Sequence, residues 1–115
     1  AVAGEPIFGQ RGLVPLTDED KLVDLGCGHG HVLVAARQVA PGCRCVGVEL
    51  DGHNVARALE VVSEAQGTPI DIVEGSIDDC FEQPDAEDEA GRTAKDVWRR
   101  VGLAEATIVY MFLGE

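Results

Sequence analysis

The chain has 115 residues, 45% of them hydrophobic and 26% charged, enough for one domain with a modest core. No apolar run nears the roughly 18 residues of a membrane span. The formal charge of −12 repels nucleic-acid phosphates, which disfavours a DNA- or RNA-binding module and suits a basic partner.

Residues 1–19 carry Gly4, Pro6, Gly9, Gly12 and Pro15, which interrupt any long period, so an irregular N-terminal arm is expected. The chain begins with Ala1, and the first ten residues lack the basic-then-apolar pattern of a secretory signal. A processed chain or fragment in an intracellular, cytoplasmic setting is expected.

KLVDLG (21–26) is a short apolar run ending in glycine and predicts a buried strand. HVLVAARQVA (31–40) predicts a helix, with Val32, Ala35, Ala36 and Val39 at helical spacing and Pro41-Gly42 as its stop. CRCVGVEL (43–50) predicts a second strand. A second helix follows over 51–67, with Asp51 as its cap, Val55, Leu59 and Val62 on one face beside Ala58, and Gly67 at its end.

TPIDIVEG (68–75) predicts a third strand. Residues 76–90 are acidic and poor in apolar side chains, which predicts a loop. RTAKDVWRRVG (92–102) has a stripe of Val97, Trp98 and Val101, with Trp98 as the anchor and Gly102 as the stop. ATIVYMFL (106–113) predicts a fourth strand. Alternation of this kind predicts an α/β layered fold with a parallel sheet and right-handed crossovers. Ligands of such sheets bind beyond the carboxyl ends of the strands.

The first strand and first helix are joined by VDLGCGHGHV (23–32). Gly26 and Gly28 allow a sharp turn and close backbone approach to a ligand, and the helix that follows aims its N–H groups at the loop. A dinucleotide loop of the GxGxxG type requires glycine at 26, 28 and 31. Position 31 is His31 and the third glycine is Gly30. Asp24 ahead of Gly26, Gly28 and Gly30 suits a cofactor with a cationic amino-acid end and no pyrophosphate. Glu49, at the end of the second strand, can accept both hydroxyls of a ribose. After the third strand, Ser76 and Asp78 offer polar contacts to an adenine and Ile77 can pack on its ring.

Cys43 and Cys45, two apart on a strand, share a face. No CxxC pair is present, so all four cysteines are expected as buried free thiols. His29 and His31 form an HxH pair with no third metal ligand in view, and a structural role is expected for both. Tyr110, Met111 and Phe112 suit core packing better than a substrate channel. Between Asp71 and Asp96 ten carboxylates face only Arg92 and Lys95, a solvated face able to draw a basic partner.

Taken in order, VDLGCGHG, VGVELD, VEGSIDD and ATIVYMFL resemble the successive cofactor motifs of class I S-adenosylmethionine-dependent methyltransferases, over about residues 20–115. More narrowly, the chain resembles the small lysine-methyltransferase-like branch related to histone-lysine and mitochondrial protein-lysine enzymes, in which an acidic third-strand motif precedes a strand like ATIVYMFLGE. The resemblance implies a Rossmann-like three-layer fold with strand order 3-2-1-4 and S-adenosyl-L-methionine as cofactor. It places Asp24, Gly26, Gly28 and Gly30 at the methionine end, Glu49 at the ribose, and Ser76 with Ile77 at the adenine, whose amine contact comes from Ser76 or Asp78; Cys27 and Leu50 join them as cofactor-binding residues. It implies methyl transfer, with protein lysine as the acceptor; no residue stands out as a catalytic base.

The chain departs from that family in several ways. Ser76 stands where many members carry Asp. Residues 82–101 are long and acidic, with an acidic insertion at about 82–91. No Asn/Asp-Pro-Pro-aromatic motif follows the fourth strand, which argues against adenine in DNA as acceptor. The family sheet has seven strands and this chain supplies about four. A truncated chain, or one that associates through its fourth-strand edge, is expected. A non-catalytic cofactor- or protein-binding half-domain and an NAD-binding domain remain as alternatives.

Overall fold

The computed structural model describes residues 16–65, 67–85 and 87–111. Among them, four strands, β1 (Lys21–Leu25), β2 (Arg44–Glu49), β3 (Asp71–Glu74) and β4 (Ile108–Met111), form one sheet in the order β3-β2-β1-β4. Every pairing is parallel, with Asp24 opposite Gly47 on one side and Tyr110 on the other, and Glu49 opposite Glu74. The expected strand order is met. The arm, apart from residues 16–19, and Phe112 lie outside the described residues.

Helices α1 (His31–Val39) and α2 (Gly52–Val62) cover one face and α3 (Glu89–Val101) the other. All five residues of β1 are buried, as a strand covered on both faces must be. Leu22 joins Leu33, Ala36, Val55, Ala58, Val62 and Ile72 in the first core layer. Val23 and Leu25 join Val46, Val48, Val73, Val97 and Val101 in the second. Ile72 and Val73 therefore both go inside, on opposite faces.

Two predicted helix faces are rotated. The buried stripe of α1 is Leu33, Ala36 and Arg37, continued by Ala40, while Ala35 and Val39 face outward. Arg37 reaches the core side because its guanidinium donates to the Thr68 carbonyl, tying α1 to the approach to β3. On α2, Ala58 rather than Leu59 is buried between Val55 and Val62, and Leu59 is 50% exposed. Small Ala58 lets α2 approach Gly30, where an added Cβ would come within 3.1 Å of Val62 Cγ1.

Asp51 caps α2 as expected, accepting from the backbone N–H groups of His53 and Asn54. The helix stops at Val62, short of Gly67. The Ser63 hydroxyl donates to the Glu60 carbonyl at 2.7 Å, and Gly67, at φ 92, turns the chain where an added Cβ would meet the Pro41 carbonyl.

The stretch expected as loop contains a 3₁₀ turn at Ile77–Cys80, started by the Ser76 hydroxyl accepting from the Asp78 N–H. Helix α3 begins at Glu89 rather than Arg92, because Asp88 caps it through the Gly91 N–H. Gly102 ends it in the left-handed region, as expected. Buried Lys21 donates to the Val101 and Gly102 carbonyls at 2.8 and 3.1 Å, satisfying the C-terminus of α3 from β1.

All four cysteines are free and buried, as expected. Cys43 and Cys45 sit with sulfurs 4.0 Å apart. Among the described residues no helix is long and apolar enough to cross a membrane.

Candidate functional site

The carboxyl ends of β1, β2 and β3 carry the sequence-predicted residues. After β1 the chain takes left-handed conformations at Gly26, Gly28 and Gly30, with φ of 83, 57 and 85, which an L side chain adopts only under strain. The Val48 carbonyl holds the turn by accepting from the Gly26 and Cys27 N–H groups at 2.8 and 2.9 Å. Gly30 is the N-cap of α1 and offers no side-chain cap. An added Cβ at Gly28 would have nothing within 4 Å, so the loop presents bare backbone to open space there.

Asp24 lies beneath this loop and is only 2% exposed. Its Oδ1 has no hydrogen-bond partner among the described residues. Burial, and then the nearby Glu49 charge, push its carboxyl up to about 7. A buried carboxyl without a partner is costly, and a cation placed beside it would remove that cost. Cys27 packs over Gly47, where a Cβ would lie 2.7 Å from its sulfur. Burial, then Asp24 and Glu49, push its thiol up to about 12, so it stays a thiol. Its role is to fill the space that Gly47 leaves open.

Glu49 is not a free carboxylate. Its Oε1 accepts from the Gly28 N–H at 2.8 Å. Its Oε2 accepts from the Asp51 N–H at 3.1 Å and from the Asn54 side-chain amide at 3.3 Å. A carboxylate offers about four lone-pair sites, so one direction remains for an incoming hydroxyl, fewer than the two-hydroxyl contact expected from the sequence. Leu50, 70% exposed, follows it at the surface.

After β3, the Gly75 N–H donates to the Glu49 carbonyl at 3.0 Å, which brings this chain end beside the end of β2. The Ser76 hydroxyl is engaged by the Asp78 N–H. Ile77 is half-buried against the α3 side of the core, which leaves its side chain less free for a ring than expected. The Asp78 carboxylate is exposed.

The structure thus joins the glycine loop and Glu49 directly, keeps buried Asp24 within reach of the Glu49 charge, and sets Ser76–Asp78 along the same sheet end. It also brings in Asn54, which the spacing does not single out, and through it His29 of the HxH pair. Asn54, in the first turn of α2, contacts both Glu49 and His29, whose Nε2 lies 3.1 Å from Asn54 Oδ1. The only sequence signal is its place three residues after a helix cap and five after Glu49. Exposed His31 opens α1. Tyr110 is half-buried against the first core layer and Met111 is 44% exposed. A groove between α1 and α2, lined by Val34, Arg37, Pro41, Arg57, Val61 and Ser63 among others, includes none of Asp24, Glu49 or Ser76.

A parallel α/β sheet with a glycine loop and a buried acid at its carboxyl end defines a class of nucleotide- and cofactor-binding domains. Within that class, residues 18–85 match the family model described as "Putative methyltransferase", and the chain belongs to this methyltransferase family. No curated protein matches it. Among solved structures, an RNA methyltransferase from Salinibacter ruber in complex with S-adenosyl-L-homocysteine is 24% identical, with a TM-score of 0.61 over 86% of this chain and 51% of that one. PKMT2 from Rickettsia typhi is 19% identical, with a TM-score of 0.52 over 76% of this chain and 19% of that one. Both likenesses are of fold. The chain spans about half the length of the first and about a fifth of the second.

Proposed function

We propose that this chain binds S-adenosyl-L-methionine at the carboxyl ends of β1, β2 and β3, as the cofactor-binding part of a methyltransferase built on residues 20–115. The observation that carries this reading is Asp24: a buried carboxyl with an unpartnered oxygen, under a bare-backbone glycine loop, in a chain of a methyltransferase family. The donor set fits the cofactor. Asp24 would face the ammonium of the methionine end, directly or through water, with Gly26, Cys27, Gly28 and Gly30 around it. Glu49 would take the ribose through its remaining lone pair, beside Leu50. Ser76, Ile77 and Asp78 would border the adenine.

When bound, the cofactor supplies an electrophilic methyl group on a sulfonium. The chain supplies alignment and exclusion of water, an effect worth on the order of 7–11 kcal/mol for well-oriented reactants. An ionised Asp24 would answer the cationic end.

Protein lysine is the acceptor we favour. The net charge of −12 and the acidic stretch from Asp71 to Asp96 suit a basic protein. The solved RNA methyltransferase of similar fold makes RNA the reading to test against it. Because the chain spans only about half of that structure, a binding module without activity of its own is the second reading.

Calorimetry with S-adenosylmethionine, S-adenosylhomocysteine and NAD tests the binding. The first two are expected to bind and NAD is not. A folded sample that bound neither of the first two would overturn the proposal. Glu49→Ala is expected to weaken binding at least tenfold, in line with loss of hydrogen bonds to a charged group. Transfer of a labelled methyl group to basic proteins, and not to RNA, would support lysine. No transfer to either, with binding intact, would support the module.

A further inference from the structure

We propose that Asn54 is the positioning residue of this site: it aims the open lone pair of the Glu49 carboxylate at a ribose hydroxyl by tying that carboxylate to the glycine loop through His29. The proposal rests on the cofactor reading above.

The geometry begins with an asymmetry of donors. An ionised carboxylate accepts hydrogen bonds and cannot donate them. Glu49 Oε2 lies 3.3 Å from the Asn54 amide nitrogen, so the NH₂ end of Asn54 must face Glu49. Its carbonyl end must then face His29, whose Nε2 is 3.1 Å away. That oxygen is an acceptor, so His29 carries its proton on Nε2. One amide side chain thereby fixes its own orientation and the tautomer of a histidine in the glycine loop.

Asn54 is itself held. Its backbone N–H donates to the Asp51 carboxylate at 3.2 Å, and Asp51 also accepts from the His53 N–H at 2.8 Å, so the start of α2 is capped. The Asp51 N–H returns to Glu49 Oε2, while Glu49 Oε1 accepts from Gly28. The end of β2, the start of α2 and the tip of the glycine loop are joined in a closed set of bonds. Three N–H donors occupy the carboxylate, and Asn54 is the only side chain among them. The backbone donors set the position of the carboxylate; the Asn54 amide decides which lone-pair direction stays open. Without it, only the Gly28 and Asp51 N–H groups hold the carboxylate, its orientation is less narrowly set, and binding must then also offset the entropy of narrowing it.

Binding of S-adenosylhomocysteine and of its 2′-deoxyribose analogue to the unaltered chain, Asn54→Ala and Asn54→Asp tests this. The unaltered chain is expected to prefer the intact ribose. Asn54→Ala is expected to lose about tenfold in affinity for S-adenosylhomocysteine, as for a hydrogen bond to a charged group, and little for the deoxy analogue, so that the preference collapses. Asn54→Asp, the same shape with a second carboxylate against Glu49, is expected to lose more. In the Glu49→Ala background, Asn54→Ala is expected to add nothing.

A loss that is equal for both ligands would mark a merely structural role and overturn the proposal. A gain in affinity would do so too, by making Asn54 a competitor of the ribose. The ligand-free chain provides a separate reading, because the same bonds hold Gly28. Amide hydrogen exchange at Gly28 is expected to quicken in Asn54→Ala, and the Nε2–H signal of His29 in nitrogen-15 spectra to broaden or shift. Unchanged exchange and an unchanged His29 would overturn the proposal whether or not ligand binds. Failure of the unaltered chain to bind S-adenosylhomocysteine, with both changes seen, would overturn the cofactor reading and the ribose role while leaving the tie to the loop standing.

Discussion

Asp24 concentrates the chemistry of this molecule in one side chain. Its carboxyl is raised from the ordinary 3.8 to about 7 by burial and then by Glu49. Between those pH values the folded chain holds a proton that the unfolded chain has released. Stability from this group is therefore full below pH 4 and falls as pH rises to about 7. Asp24→Asn, neutral throughout, is expected to gain on the unaltered chain over that interval, by on the order of 2–4 kcal/mol. Urea unfolding at pH 4 and pH 8 measures it, and a pH-independent difference would contradict the assignment. The same proton opposes a cationic ligand. Affinity for S-adenosylmethionine is expected to fall up to tenfold per unit as pH drops below about 7, and to lose this dependence in Asp24→Asn.

The glycines separate two costs at the same scale. Gly28→Ala meets no neighbour and carries only the left-handed backbone strain, about 1–2 kcal/mol. Gly30→Ala adds a close contact with Val62 Cγ1 and is expected to be the worse of the two in denaturant melts. The sequence marks both as turn glycines. Which of them the core presses against depends on α2, which is remote in the chain.

At the scale of elements, the helices show how far spacing reaches. In α1 the apolar letters are so frequent that several stripes fit. The one chosen uses Leu33, Ala36 and Ala40 and takes Arg37 inside, because the guanidinium finds the Thr68 carbonyl. Apolar content alone cannot register that partner. Caps were readable where they are local, as with Asp51 and Gly102. Asp51→Ala is expected to cost about 1 kcal/mol by thermal or urea melts.

The cap on α3 is a different case. Lys21 comes from the other end of the chain, so no local pattern announces it. Lys21→Met keeps the buried stem and leaves the carbonyls unmet, an expected loss of about 1–3 kcal/mol. Glu105→Gln, on the exposed side of the 3.7 Å ion pair, is expected to change stability by less than about 1 kcal/mol.

For the whole molecule, the sheet is well covered at β1 and β2 and thin at β4. Among the described residues β4 pairs only with β1, and Val109 and Met111 stand 50% and 44% exposed on the face that α3 covers elsewhere. An open apolar edge invites strand pairing. Association of this chain through that edge is expected to appear as concentration-dependent sedimentation, and Val109→Lys to reduce it. Unchanged sedimentation in Val109→Lys would place the contact elsewhere.

The family resemblance implied the strand order of the sheet. By itself, the sequence determined the succession of strands and helices, the parallel sheet, and the acids and glycines at its carboxyl end. These follow from short-range patterns: the period of apolar residues, the breakers between them, and the handedness of crossovers. Only the tertiary structure decided that Asp24 is buried with an oxygen that has no partner among the described residues, that Glu49 is already bonded to Gly28, Asp51 and Asn54, and that His29 and Lys21 have distant partners. The reason is one of range. Periodicity states which face a residue takes on its own element, whereas hydrogen-bond distances and burial depend on how elements far apart in the chain are brought together.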